Sequence, residues 1–264
     1  MLSEEALSSA GIQRADAEVL LAAILKKDRT QLFAHPEQLL TNEEEKQWKD
    51  FSARRRGGEP VAYILGEKEF YGRRFFVDPR VLIPRPATEG LIDAALRFLD
   101  DPQNETAIID AGIVAVAHAL RPLKPTCIVD IGTGSGCIAI TLKVERPDLR
   151  LCASDSSEDA LAVAQENAKR LGADIEFRQG RGLEPFADLQ QPFLIVSNPP
   201  YIPEGITLQK DVADFEPHQA LFAGKEGRDV LMEIAREAKE NSFCAGFIFE
   251  CREEQASVIR DFID

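Results

Sequence analysis

The spacing of apolar residues changes twice along the chain, and each change predicts a different kind of structure. Up to about residue 57 apolar positions recur at helical intervals. "SEEALSSAG" offers a Ser cap, an acidic first turn and a Gly stop, and "RADAEVLLAAILKK" ends in lysines. "TNEEEKQWKDFSARRR" has a Thr cap, an acidic start and a basic end, which suits the helix dipole. Residues 1–57 are therefore expected to form a small helical bundle. Residues 58–86, with "PVAYILGEKEFYGRRFFVDPRVLIPRPA", are rich in β-branched and aromatic residues broken by Gly72 and Asp78-Pro79, the pattern of a hairpin and linker. From residue 126 short apolar runs alternate with helical patterns. "TCIVDIG", "LRLCASD", "DIEFRQG", "FLIVSNPPY" and "GFIFEC" read as strands. "CIAITLKV", "SEDALAVAQENAKRLG", "RDVLMEIAREAKE" and "EEQASVIRDFI" read as helices. Buried strands separated by helices imply a parallel sheet, so residues 87–264 are expected to form a doubly wound α/β domain. The stretch "DDPQNETAIIDAGIVAVAHALRPLKP" ahead of the first of these strands reads as an extended apolar helix.

Composition narrows the function classes. The length of 264 residues suits about two domains. A formal net charge of −14 and a pI near 4.8 argue against a duplex-DNA binder, which carries a basic face to displace counterions. A protein partner with a basic patch remains compatible, as does local contact through "SARRRGG". The five cysteines, Cys127, Cys137, Cys152, Cys244 and Cys251, lie in or beside apolar runs without a Cys-x-x-Cys pair, and read as buried thiols of a reducing compartment. His35, His118 and His218 are dispersed, so no metal site is expected. Trp48 falls on an amphipathic helix and reads as packing. The N-terminus lacks the pattern of a signal peptide, and "AIIDAGIVAVAHAL" is too short for a membrane span and contains Asp110 and His118. A cytoplasmic location is expected.

Candidate chemistry begins at "DIGTGSG", where Gly132, Gly134 and Gly136 sit between a strand and a helix. Glycines there let the backbone approach a ligand, and the helix presents its N-terminus to it. Cys137 breaks the G-x-G-x-x-G dinucleotide fingerprint, and a P-loop would need a lysine followed by Ser or Thr. Asp130 ends the first strand of this region and Asp155 the second, where a carboxylate can accept from both ribose hydroxyls of an adenosine ligand. A Gly-rich turn with an Asp cap would be the plain structural reading. Together with Asp155 and "NPPY" after the fourth strand, the turn resembles that of a class I S-adenosylmethionine-dependent methyltransferase.

Asn198, Pro199, Pro200 and Tyr201 follow the apolar run "FLIV". Proline cannot donate to a sheet ladder, so the strand must stop there. A planar amide or aryl-amine nitrogen is a poor nucleophile because its lone pair is delocalised. Accepting hydrogen bonds from its two N–H groups aims that lone pair at a methyl donor, and the Asn198 side-chain oxygen and the Pro199 carbonyl can be those acceptors. Pro200 restricts Pro199 to extended geometry. Tyr201 gives a ring face against the planar group and the positive charge developing on nitrogen. The motif occurs in methyltransferases acting on amides or adenine amino groups.

"GEPVAYILGEKEFYG", "VLIPRPATE", "DIGTGSGCIAITL", "SNPPYIP" and "DVADFEPHQALFAG", in this order, are similar to the protein-(glutamine-N5) methyltransferase family that modifies peptide-chain release factors, the HemK/PrmC family. The resemblance implies a Rossmann-like class I methyltransferase domain behind an N-terminal bundle that holds the release factor, whose Gly-Gly-Gln glutamine enters the site. It implies S-adenosyl-L-methionine held by Gly132, Thr133, Gly134, Ser135, Gly136, Asp155 and Asn198. It further implies catalysis by Asn198, Pro199 and Tyr201, with Asn198 to Tyr201 holding the glutamine amide. Ile83 to Pro86 and Phe70 are expected near the pocket.

Three departures from the family pattern stand out. Arg181 and Gly182 occupy the positions after the third strand where the family has an Asp-Trp pair. The link before the first parallel strand is longer than in the family. The chain stops after "EEQASVIRDFI", where the family continues into two further antiparallel strands, so the sheet is expected to lack them and to leave "GFIFEC" at an open edge. These departures raise a catalytically weakened binding protein as one alternative; an adenine-N6 nucleic-acid methyltransferase is the other.

Overall fold

The computed structural model describes residues 1–263 and divides into two compact units. The first contains Met1–Glu67 together with Leu208–Phe215. Its helices are α1 (Ser3–Ser9), α2 (Arg14–Leu25), α3 (Arg29–Ala34), α4 (Asn42–Arg56) and α5 (Val61–Leu65). Capping decides where they start. The Thr41 hydroxyl accepts from the Glu44 amide at 3.3 Å while the Glu44 carboxylate takes the Thr41 amide at 2.7 Å, a reciprocal capping box. In α1 the cap lies one residue earlier than expected. Leu2 holds that position with its amide on Glu5, and the Ser3 hydroxyl donates to the Pro36 carbonyl at 2.8 Å instead. Leu20, Leu21, Ile24 and Trp48 form the core of this unit, so Trp48 is packing. The "ARRR" basic run is engaged internally: Arg54 with Glu59, Arg55 with Asp16 and Asp211, and Arg56 with the Ala10 carbonyl.

The second unit, Lys68–Thr207 with Glu216–Asp264, is built on a sheet. It opens with the hairpin of β1 (Glu67–Phe70) and β2 (Arg73–Phe76), followed by α6 (Glu89–Asp100), β3 (Glu105–Asp110) and β4 (Ile113–Ala119). Then come β5 (Cys127–Ile131), α7 (Cys137–Glu145), β6 (Arg150–Asp155), α8 (Glu158–Leu171), β7 (Glu176–Gln179) and β8 (Phe193–Ser197). The short α9 (Lys210–Phe215) belongs to the first unit, and α10 (Asp229–Glu240), β9 (Cys244–Arg252) and α11 (Glu253–Ile263) complete the chain. The sheet has seven strands in the order β3-β4-β9-β8-β5-β6-β7. β7, β6, β5, β8 and β9 are parallel; β4 runs antiparallel to β9, and β3 to β4. Side chains alternate across the sheet into two cores. Phe193, Ile195, Phe247 and Phe249 face α10 and α11, whereas Ile128, Leu194, Val196 and Ile248 face α6 and α7. All five cysteines are buried and free.

Two expectations fail together at residues 105–119. The apolar stretch is a hairpin and not a helix, and it covers the β9 edge that was expected to stay open. Register pairs Glu105 with Ala117 and Asp110 with Ile113 across the turn, and Ile113 with Arg252 through Ala119 with Gly246 against β9. Val114 and Val116 enter one core while Ala115 and Ala117 enter the other. A strand buried on both faces has no polar alternation, so its pattern cannot be told from that of a buried helix. Close approach is supported by Gly90, where a Cβ would come within 2.4 Å of Ile109 Cγ2, and by Gly246, where it would lie 2.5 Å from the His118 carbonyl.

Candidate functional site

In a parallel sheet the strand order reverses where successive connections leave on opposite sides, and ligands bind beyond the carboxyl ends of the strands there. Here that point lies between β5 and β8, since β6 and β7 continue to one side and β9 to the other. A cavity of about 400 Å³ opens over those ends, within the range of small-molecule sites. Its lining includes Gly132, Gly134, Asp155, Asn198, Pro200 and Glu233.

The glycine turn is held from beneath. The Gly132 and Thr133 amides donate to the Ser154 carbonyl, both at 2.9 Å. Asp130, fully buried, accepts from the Thr133 hydroxyl at 2.7 Å and the Ala139 amide at 3.1 Å. Its other oxygen has no partner, and burial pushes the carboxyl up to about 7 against the pull of those two donors. Asn167, mid-way along α8, donates to the carbonyls of Ser135 and Phe76 at 2.9 Å each and accepts from the Phe76 amide at 2.7 Å. It ties the turn to the β1–β2 hairpin. Thr133, Ser135 and Gly136 are thus scaffolding, and Gly132 and Gly134 face the cavity, where a Cβ on either would meet nothing within 4 Å. Asp155 sits at the end of β6. Its two oxygens accept from the Gly134 and Ser157 amides, each at 2.9 Å, and burial raises its carboxyl against those bonds.

Across the cavity, Asn198 donates from Nδ2 to the Thr88 hydroxyl at 3.1 Å, which leaves Oδ1 as the acceptor. Pro199 is buried, and Pro200 reaches the cavity. The Tyr201 ring packs against the core facing α10 and α11, while its hydroxyl donates to Glu250 at 3.1 Å. Glu250, on β9, is wholly buried; burial raises its carboxyl, opposed by the dipoles of Thr88, Tyr201 and Asn198.

The remaining expectations divide. Phe70 lies in the core, edge-on to Phe75 with ring centroids 6.0 Å apart, and is not part of the cavity lining. Arg80, Val81 and Leu82 contribute to the wall, and Ile83–Pro86 do not; there Arg85 pairs with buried Glu216 at 2.6 Å, and Glu216 also accepts from the Ile83 amide. Arg181 lines the cavity but is drawn to Glu233 at 2.7 Å. At Gly182, φ is +54° and a Cβ would come within 2.2 Å of a Glu237 carboxylate oxygen, so a larger residue there would be strained and would displace the Glu237 side chain. Thr88, Glu250 and Asn167 were missed from the sequence. The only signals were a charge inside the apolar run "GFIFEC" and an asparagine in the middle of a helix.

An adenosine-bearing sulfonium cofactor fits these residues: the backbone is open over Gly132 and Gly134, and the Asp155 carboxylate stands in the cavity wall as an acceptor. Among the described residues no cluster of His, Cys, Asp or Glu could hold a metal ion, and no helix is long and apolar enough to cross a membrane.

The chain is similar to known proteins in both sequence and fold. Residues 2–66 match the PrmC N-terminal domain, and residues 105–220 match the methyltransferase small domain. Among solved structures, the hMettl16 catalytic domain in complex with a 3′UTR hairpin superposes with a TM-score of 0.51 over 84% of this chain and 72% of that one. At 11% identity this is a likeness of fold. The release factor glutamine methyltransferase of Koribacter versatilis is 43% identical over 230 residues, covering 86% of this chain and 75% of the relative. That of Chlorobaculum tepidum is 40% identical over 258 residues, covering 95% and 82%, and that of Escherichia coli 37% over 237, covering 89% and 77%. With this identity sustained through both units, the chain belongs to the release factor glutamine methyltransferase family.

Proposed function

We propose that the protein methylates the side-chain amide nitrogen of the Gly-Gly-Gln glutamine in peptide-chain release factors, with S-adenosyl-L-methionine as methyl donor and a Rossmann-like class I methyltransferase domain as the catalytic unit. When bound, the cofactor supplies an activated methyl group on sulfonium. The chain's own residues then have a task of position. Gly132, Gly134 and Asp155 hold the cofactor from the β5 and β6 side, with Thr133, Ser135 and Gly136 shaping the turn behind them. Asn198 Oδ1 and the Pro199 carbonyl accept the two amide protons of the glutamine, and Pro200 fixes the direction of that carbonyl. The Tyr201 ring borders the planar amide. Fixing a weak nucleophile in line with its electrophile is most of the catalysis such a transfer needs. Residues 1–57 serve as the release-factor-binding bundle, joined through residues 58–86 to the catalytic domain of residues 87–264. The buried free thiols and a release-factor substrate favour the cytoplasm.

The observation that carries the reading is the Asn198 side chain at the β5/β8 switch point, with Nδ2 engaged by Thr88 and Oδ1 left to accept. Transfer of a labelled methyl group to a release factor, but not to one lacking the Gly-Gly-Gln glutamine, is the expected result. Asn198→Ala is expected to lower kcat by about two orders of magnitude, the usual scale for one well-placed polar group in a transition state. Label on adenine in nucleic acid, with none on the release factor, would overturn the reading.

A further inference from the structure

A buried charge on a central strand demands an explanation, because an unpaired carboxylate inside a core is costly unless hydrogen-bonded. Glu250 is fully buried on β9, on the same face as Ile248. Its neighbours are Tyr201, whose hydroxyl donates to Oε1 at 3.1 Å, and the polar ends of Thr88 and Asn198. Oε2 has no donor in hydrogen-bonding geometry. Arg85 is the nearby cation, already paired with Glu216; the Cys137 thiol lies on the same side of the sheet and Cys251, the next residue along β9, on the other, and the charge of Glu250 raises both thiols. Three parts of the fold therefore meet here: Thr88 before α6, the segment after β8 that carries Asn198 and Tyr201, and β9. Of these groups the Tyr201 hydroxyl is the one that donates to Glu250 in hydrogen-bonding geometry.

Resting on the proposed reaction, we propose that Glu250 is a positioning residue which, together with Thr88, holds the Asn198 carboxamide with Nδ2 turned inward, so that Oδ1 faces the substrate nitrogen. An ionised carboxylate only accepts. It can therefore face Asn198 Nδ2 but would repel Oδ1. The Thr88 hydroxyl receives Nδ2 from the other side. With both in place the carboxamide has one favoured orientation, and the acceptor needed by the glutamine amide is fixed before the substrate arrives. A protonated Glu250 can donate, and that preference is lost. Burial raises its carboxyl, so loss of activity on acidification begins above the ordinary glutamate value.

Glu250→Gln tests this, because its carboxamide has nearly the same shape but offers a donor to Asn198 Oδ1. The expected result is a kcat for release-factor methylation lower by roughly 10- to 100-fold, the scale of a misaligned reacting group. Calorimetric affinity for S-adenosylmethionine and the thermal midpoint should stay near wild type, and the acid limb of the kcat profile should flatten. Thr88→Val, which keeps the carboxylate, should show the same split with a smaller fall in kcat. It also serves if Glu250→Gln does not fold. Wild-type kcat in both variants would overturn the inference. So would losses of kcat, cofactor affinity and thermal stability in proportion, which mark a purely structural carboxylate. If the wild-type protein transfers no methyl to a release factor, the reaction itself is wrong and this inference falls with it. If the wild type is active and the variants match it, only the inference fails.

Discussion

The turn after β5 and the turn between β3 and β4 make the same backbone demand and answer to different surroundings. Each places a glycine in the left-handed region, Gly136 at φ +80° and Gly112 at +74°. A Cβ at Gly136 would meet Ile140 Cδ1 at 2.9 Å and Ala164 Cβ at 3.2 Å, whereas one at Gly112 would meet nothing within 4 Å. The first turn is locked into the core by the helix it starts and by α8. The second reverses the chain between β3 and β4, with β4 held against β9 and the Gly112 carbonyl accepting from the Glu253 amide at 2.9 Å. A site that must present backbone to a ligand is supported on every side but one. At Gly112 the side-chain direction is open and the backbone alone is engaged.

Substituting Gly136→Val would give the largest effect. It adds left-handed strain to overpacking, about 3–5 kcal/mol together, which is much of the stability of an ordinary domain. Urea titration should show a strongly lowered midpoint and calorimetry no cofactor binding; a near-native midpoint would remove the distinction between the two turns.

Asp130→Asn sharpens the comparison through pH. In the unfolded chain Asp130 titrates near 3.8, and in the fold burial holds it protonated up to about 7. Between those values the folded state binds more protons, so this group's contribution makes stability fall as pH rises through that window. The asparagine variant should lose that decline, with a difference of a few kcal/mol, on the order of 4 at most, between wild-type and variant slopes from about pH 4 to pH 7. Parallel slopes in urea unfolding would show that the carboxyl is not buried as described.

At Gly112→Ala the smallest effect is expected, about 1 kcal/mol for a left-handed residue with open space around it. Cofactor affinity should be unchanged. Loss of affinity here would couple the hairpin to the site.

The two regions also differ in how legible they were. The glycine turn, Asp155 and the Asn-Pro-Pro-Tyr stretch each carry residue types whose chemistry is local, so their positions at strand ends could be read in order along the chain. The hairpin could not. Val114 to Ala117 are buried on both faces, and two-sided burial erases the period that separates strand from helix. Nor could the Arg181–Glu233 pair, or the Glu237 carboxylate that takes the space beside Gly182, since each joins residues more than 50 positions apart.

By itself the sequence determined the helical N-terminal region, the alternation of parallel strands and helices, and the place of Gly132, Gly134, Asp155, Asn198 and Pro200 at the strand ends that border the cavity, because capping, periodicity and the stiffness of proline and glycine act over a few neighbouring residues. Only the tertiary structure decided that residues 105–119 complete the sheet beside β9, that Asn167 braces the glycine turn, and that Thr88 and Glu250 stand behind Asn198. Those choices depend on which distant groups share a buried space, where an unpaired strand edge or an unsatisfied polar atom is too costly to leave, and no local pattern encodes that partnership.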